Sequence, residues 1–314
     1  MNFFTQTIPT QNQQIHLPLL KDKEIELWIK REDKIHEFVS GNKFRKLKYN
    51  IALAKESKSN TVITFGGAYS NHIVATAVAG NMSNIDTVGI IRGEELANQF
   101  DNLLKNNPTI QKAHENGMKF EFISRAQYKE KSSKAFTSYL LNKYPNAYIV
   151  PEGGTNDEAI KGCEEILTQQ DQNFNYICVP VGTGGTISGL INTAKFNQKI
   201  IGFPALKGDF LNDDIQKLTT VKNNWSINTD YHFGGYAKYN SDLIRFINEF
   251  YQKTSIALDP VYTSKMLYGI IDMIGKNYFN KGTKILAIHT GGLQGIKGFN
   301  SMLQKKNLEI IKVS

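Results

Sequence analysis

From about residue 60 onward the chain alternates short apolar segments with amphipathic ones, and this alternation narrows the accessible folds more than any other feature. The apolar segments are Thr61–Phe65, Thr87–Ile91, Lys119–Ile123, Ala147–Val150, Tyr176–Val181, Lys199–Phe203 and Lys284–His289. Between them lie helical patterns at Lys43–Lys55, Ser70–Ala79, Tyr128–Lys143, Asp157–Gln169 and Ser241–Lys253. Strand and helix taking turns in this way predict an α/β protein with parallel sheets covered by helices on both faces. The 314 residues suffice for one large or two smaller domains. No repeat of solenoid period and no Gly/Ser-rich or Pro-rich linker interrupts the pattern, so a second domain has to be interlocked with the first.

Glycines fall where the strands end: Gly66-Gly67, Gly153-Gly154, Gly182 to Gly185, and Gly291-Gly292. Ligands of open α/β sheets bind beyond the carboxyl ends of the strands, where glycine lets the backbone come close. Any one of these pairs is explained by an ordinary strand-to-helix turn; four together predict one shared site. The strongest of them is Val179 to Leu190, VPVGTGGTISGL, an apolar strand, a loop Gly182-Thr183-Gly184-Gly185-Thr186, then a helix. Backbone amides of such a loop, with a helix N-terminus behind them and two threonine hydroxyls beside them, favour an anion of phosphate size. The loop lacks the GK[ST] of a nucleotide-triphosphate loop, and Ile187 stands where a dinucleotide fingerprint has its third glycine. A lone phosphate fits it better than a nucleotide.

Two further segments carry chemistry. Ser40-Gly41-Asn42-Lys43 opens a helix, with Lys46 and Lys48 expected to face elsewhere. Desolvation and a helix N-terminus both lower a lysine pKa, and a neutral amine can form a Schiff base, as an aldehyde cofactor bearing a phosphate requires. Phe65-Gly66-Gly67-Ala68-Tyr69-Ser70-Asn71-His72 also runs from strand to helix start. Its first-turn amides are placed to clasp a carboxylate, although Ser70 serves equally well as a plain helix cap. His72 reads as a structural contact before it reads as a base.

Composition removes several alternatives. Lys plus Arg exceeds Asp plus Glu by 37 to 29, a net charge of +8, but the five arginines are scattered at 31, 45, 92, 125 and 245. A nucleic-acid reader would concentrate arginine forks, so no nucleic-acid partner is expected. Cys163 and Cys178 form no CxxC and the six histidines form no HExxH, which leaves metal sites and disulfide frameworks without support. No apolar run reaches membrane-span length and the opening MNFFTQTIPTQ has no leader pattern, so no membrane partner and a cytoplasmic address are the expectation.

Taken in this order, and joined to Asp259-Pro260-Val261-Tyr262-Thr263-Ser264-Lys265 and His289-Thr290-Gly291-Gly292, these motifs resemble the 1-aminocyclopropane-1-carboxylate deaminase and D-cysteine desulfhydrase family over nearly the whole chain. The resemblance implies the tryptophan synthase β-like fold, with two open, mostly parallel sheets, and pyridoxal 5'-phosphate as cofactor. It makes Lys43 the Schiff-base lysine, Asn71 the partner of the cofactor's phenolic oxygen, and Gly182, Thr183, Gly184, Gly185 and Thr186 the phosphate cup. Tyr262 becomes an aromatic neighbour of the ring with a catalytic part, while Ser70 lies beside the substrate and helps Lys43 remove the α-proton, with the amides of Ser70, Asn71 and His72 clasping the substrate carboxylate. Tyr239 corresponds to the family's active-site tyrosine, with Tyr236 as its rival. The same resemblance implies a large domain of residues 1–45 plus 151–314, a smaller, mobile one of residues 46–150, the cofactor in the cleft, and a homodimer.

Two positions divide the family. Where deaminases carry Glu after DPVY and Leu before the closing Gly-Gly, this chain has Thr263 and Thr290, as the desulfhydrases do. A hydroxyl bonds the ring nitrogen without lending it charge, which weakens the ring as an electron sink and suits departure of sulfide better than opening of a cyclopropane. The expectation is therefore a lyase that converts D-cysteine to pyruvate, ammonia and hydrogen sulfide. Its rivals are deamination of aminocyclopropane-carboxylate, another elimination or racemisation on the same cofactor, and a catalytically silent homologue.

Overall fold

The strands of the protein assort into two sheets, and the boundary between the sheets is where the glycine turns meet. A computed structural model describes residues 8–208, 210–220 and 223–313. In chain order the strands are β1 (Asn12–Ile15), β2 (Glu26–Lys30), β3 (Thr61–Gly66), β4 (Asp86–Arg92), β5 (Lys119–Ile123), β6 (Ala147–Val150), β7 (Tyr176–Val181), β8 (Lys199–Pro204), β9 (Trp225–Ile227) and β10 (Lys284–Ile288). One sheet runs β1-β2-β10-β7-β8-β9 and the other β5-β4-β3-β6. Every pairing is parallel except β1 with β2. The smaller sheet thus draws its strands from residues 61–150, and the larger from 12–30 and 176–288.

Burial on both faces explains why the central strands read as unbroken apolar runs. In β7, Ile177, Val179 and Val181 point to one face of the sheet and Cys178 to the other; in β10, Leu286 and Ile288 oppose Ile285 and Ala287. The first face is closed by Ile187, Leu190 and Ile191 of the Gly185–Thr193 helix. The second is closed by Met266, Leu267, Ile270 and Ile274 of the Thr263–Gly275 helix. The smaller sheet is treated likewise: Phe44, Leu47 and Ile51 of the Asn42–Glu56 helix meet Val62 and Val150 on one side, and Tyr128 and Leu140 meet Ile63, Phe65, Val88 and Ile90 on the other.

Some elements depart from the sequence expectation. The helix expected over Tyr128–Lys143 is two, Arg125–Lys129 and Lys134–Lys143, because Ser133 accepts the Phe136 amide hydrogen (3.2 Å) and starts a fresh cap. The one expected over Asp157–Gln169 ends at Cys163. Beyond it Asp171 accepts from the Thr168 amide (2.7 Å) and pairs with buried Lys30 at 2.8 Å, which ties the segment to β2 instead of continuing the helix. Among the described residues no helix is long and apolar enough to cross a membrane.

Candidate active site

β7 and β10 are neighbours in the larger sheet, β3 and β6 in the smaller one, so four carboxyl ends open toward one cup. Its lining includes Lys43, Asn71, Gly153, the Gly182–Gly184 stretch, Tyr262, Thr290 and Gly292. Three of the four glycine turns thus place glycines in one cup, and the turn at Gly66-Gly67 leads to it through Asn71. Gly184 sits at φ +86 as the residue before the Gly185–Thr193 helix, a left-handed conformation that residues with a Cβ rarely adopt. At Gly292 the constraint is proximity, since a Cβ there would lie 2.7 Å from Asn71 Nδ2.

The loop after β7 is built for an anion. The N-terminus of the Gly185–Thr193 helix stands behind it, and Thr186 Oγ1 accepts a hydrogen bond from Asn42 Nδ2 (2.9 Å), which fixes the start of the Asn42–Glu56 helix against the loop. The charge comes from a residue expected to face elsewhere. Lys46 is buried and donates to Gly153 O (2.9 Å) and Thr155 Oγ1 (3.1 Å), with Thr183 Oγ1 at 3.5 Å. It stands three positions after Lys43, a spacing that brings two side chains to one helix face, and that spacing is the signal available in the sequence. Lys48 does face away, to Glu165 at 2.7 Å.

Lys43 is the amine left available. Its Nζ has one long contact, to Asn42 Oδ1 at 3.3 Å. The dense surroundings of the amine, and then the like charge of Lys46, lower its pKa to about 7, so a substantial share of it is neutral near neutral pH. Lys46 is pulled down as well, by desolvation. Between them His72 is kept neutral, its pKa driven well below the ordinary value by burial and then by the two lysines. Thr64 Oγ1 donates to Val150 O (2.9 Å), so His72 Nε2 is the donor in their 2.8 Å contact. His72 is thus a structural contact, as its sequence context suggests.

At the start of the Asn71–Ser83 helix the cap prevails over the expected clasp. Ser70 Oγ accepts from the His72 amide (3.3 Å), and the Ser70 amide donates to Gly67 O (3.0 Å), so two of the three amides assigned to a substrate carboxylate are already engaged. Asn71 does reach the cup and also borders a chamber of about 500 Å³ that continues outward past Tyr262, Tyr236, Phe299 and Met302.

Asp259 organises the opposite wall. Its Oδ1 accepts from the amides of Val261 (2.9 Å) and Tyr262 (2.8 Å), and its Oδ2 from the amide (2.7 Å) and hydroxyl (2.8 Å) of Thr263. Thr263 Oγ1 also accepts from the Asp259 amide (2.9 Å). The hydroxyl is thereby locked inside the turn, and Thr263 is not among the residues lining the cup, whereas Thr290 is. The Tyr262 ring lies against Gly182, 3.3 Å from where a Cβ would project.

The geometry also separates the two rival tyrosines. Tyr236 meets Tyr262 edge-on at 6.1 Å, with the two phenols interacting. Tyr239 turns away, its hydroxyl on Met302 Sδ (3.4 Å) and its ring on Phe299. Of the two, the structure brings Tyr236, and not Tyr239, against Tyr262.

A buried amine, an anion loop backed by a second buried lysine, and an asparagine and a tyrosine between them are what a phosphorylated pyridine aldehyde needs. The family model described as pyridoxal-phosphate-dependent enzyme matches residues 7–291. The chain belongs to that family. This pyridoxal-phosphate enzyme is 34% identical over 313 residues to the mitochondrial bifunctional D-cysteine desulfhydrase/1-aminocyclopropane-1-carboxylate deaminase of Arabidopsis thaliana, with 92% of this chain and 77% of that protein covered. It is 26% identical over 298 residues to the D-cysteine desulfhydrase of Serratia proteamaculans, at 88% and 89% coverage. A crystal structure of an ACC deaminase homologue superposes with a TM-score of 0.79 at 26% identity, covering 97% of this chain and 98% of the other. The enzyme is a pyridoxal-phosphate-dependent lyase of the aminocyclopropane-carboxylate deaminase and D-cysteine desulfhydrase group. The residues of the cup have the chemistry to hold the cofactor: Lys43 would meet the aldehyde carbon, the Gly182–Thr186 loop with Lys46 the phosphate, and Asn71, Tyr262 and Thr290 the ring.

Proposed function

We propose that the protein is a D-cysteine desulfhydrase, converting D-cysteine and water to pyruvate, ammonia and hydrogen sulfide. The observation that carries this reading is that no Asp or Glu lines the cup among the described residues. The nearest acid of the wall, Asp259, has both oxygens engaged within its own turn. Thr290, which lines the cup, would offer a neutral hydroxyl to the ring nitrogen, and a cup without a carboxylate favours loss of a good leaving group over opening of a carbon ring.

Bound pyridoxal phosphate supplies the sink for electrons released at the α-carbon. Lys43 Nζ, neutral near its pKa of about 7, takes the α-proton as general base. Ser70 Oγ accepts the His72 amide hydrogen at 3.3 Å, which leaves its hydroxyl proton free to assist that transfer. Burial raises the pKa of Tyr262 well above that of a free phenol, and Tyr236 is raised too. Both therefore keep their protons at neutral pH, and the pair donates a hydrogen bond to the departing sulfur. The division into residues 1–45 plus 151–314 and residues 46–150 belongs to the same proposal, with the smaller part closing over the substrate and two copies of the chain forming a homodimer.

The test offers cofactor-loaded protein D-cysteine and aminocyclopropane-carboxylate side by side, with pyruvate and 2-oxobutyrate quantified separately. Pyruvate from D-cysteine without 2-oxobutyrate supports the proposal; 2-oxobutyrate alone overturns it. The Arabidopsis relative is named for both activities, and comparable turnover of both substrates would give this chain the same double character.

A further inference from the structure

Lys265 is a buried amine that takes no part in the cup. It lies on the Thr263–Gly275 helix, 1% exposed, and its Nζ donates to two main-chain carbonyls of another segment, His232 O at 2.8 Å and Gly235 O at 2.7 Å. Burial lowers its pKa to about 8 against the opposing pull of Asp259, which leaves the amine mostly protonated at neutral pH.

The segment it grips is strained. Phe233, Gly234, Gly235 and Ala237 have φ of +54, +92, +118 and +54, and two of these four carry the Cβ that disfavours such angles. Local bonds alone, Gly235 N–H to His232 O (3.0 Å) and Lys238 N–H to Gly235 O (3.1 Å), close small turns without fixing the segment to the rest of the molecule. Its ties to the Thr263–Gly275 helix are Lys265 and the contact of the Phe233 ring with Tyr268 at 5.0 Å. The residue displayed by this segment is Tyr236, the partner of Tyr262.

We propose that Lys265 is a positioning residue, whose ammonium pins the strained 232–238 segment to the Thr263–Gly275 helix so that the Tyr236 phenol meets Tyr262 over the substrate. The two tyrosines are then set by two buried charges of opposite sign, Asp259 for Tyr262 and Lys265 for Tyr236. The inference rests on the reading above that this tyrosine pair faces the substrate. Removal of the clamp leaves no orphaned carbonyl, because His232 O and Gly235 O each keep a backbone donor.

The test is a double-mutant cycle on the holoenzyme with Lys265→Met, Tyr236→Ala and the pair, read as kcat and KM for D-cysteine, with cofactor affinity titrated in each. Lys265→Met is expected to lower kcat/KM at least tenfold with cofactor affinity unchanged, and to add less than twofold in the Tyr236→Ala background. Hydrogen exchange of the 232–238 amides, which needs no substrate, is expected to quicken at least tenfold. Independent, multiplicative losses or unchanged exchange would overturn the clamp. Full activity of Tyr236→Ala would instead overturn the assignment of the tyrosine pair to the substrate. Should Lys265→Met fail to fold, Lys265→Cys alkylated with 2-bromoethylamine restores an ammonium at the same reach. Recovery of kcat/KM with slowed exchange then supports the clamp, and recovery of neither overturns it.

Discussion

The phosphate cup and the tyrosine pair meet at Tyr262, and they are built in different ways. The cup is made of strand ends and three helix starts, elements held by sheet pairing and buried apolar faces. The tyrosine pair stands on an Asx turn and a left-handed loop, each fixed by one buried charge. Backbone at the end of a sheet positions a cofactor that every turnover reuses. Side chains that must match a particular substrate stand on irregular backbone that can be re-aimed without disturbing the sheet.

The largest break in this contrast is Lys43→Ala. Turnover should fall by about a thousandfold or more, and borohydride should no longer fix cofactor mass to the protein, while the phosphate loop stays intact and inorganic phosphate still competes with pyridoxal phosphate for binding. Next comes Lys46→Met. Loss of a buried charge-assisted hydrogen bond, about 1.5 to 3 kcal/mol, should weaken cofactor binding by about ten- to a hundredfold in an apoprotein titration, with kcat at saturating cofactor changed far less. Equal affinity would show that the cup relies on its backbone amides alone.

The third prediction concerns pH. With Lys43 near 7, cofactor capture by the apoprotein should slow about tenfold per unit below that value and level off above it. The accompanying stability effect has a definite sign. The folded pKa lies below the 10.5 of an ordinary lysine, so this group's contribution declines as pH falls from 10.5 to about 7 and is constant below. Urea midpoints of apoprotein and of Lys43→Met should converge at high pH.

Smaller effects sharpen the wall of the cup. Thr263→Val removes a hydroxyl bonded to buried Asp259 and should cost about 1 to 3 kcal/mol of stability by denaturant unfolding, whereas Thr290→Val should spare stability and shift the absorption of bound cofactor. The smallest effect belongs to Tyr239→Phe, which should leave kcat/KM within about twofold because its hydroxyl contacts only Met302 and, at 3.5 Å, Lys306.

The cup was legible in the sequence because its signals are local: a run of apolar residues, glycines at fixed offsets, a helix start. The larger sheet's edge was not. β1 is Asn-Gln-Gln-Ile with only Ile15 buried, and an edge strand with polar side chains reads as a loop. Lys46 was misread because a basic helix start is usually solvated, and only the packing of Gly153 and Thr155 against the helix turns that residue inward. Tyr236 and Tyr239 are three positions apart in one loop. What separates them is the sign of φ at Phe233 and Ala237, and no side-chain pattern announces a positive φ in a residue that is not glycine. Thr263 was read as a ligand of the ring, while the Asp four residues earlier in the same motif holds it.

Lys43 and Lys46 stand on one turn of one helix, about 4.5 Å apart along its axis, and Asn42 pins that turn to Thr186 of the phosphate loop. The turn therefore works as a gauge. One jaw would meet a carbonyl carbon and the other an anion, at a separation set by the continuous Asn42–Glu56 helix. A phosphorylated vitamer would engage both jaws and the Gly182–Thr186 loop together, and a molecule with the right groups at the wrong distance would fill one jaw and leave the other empty.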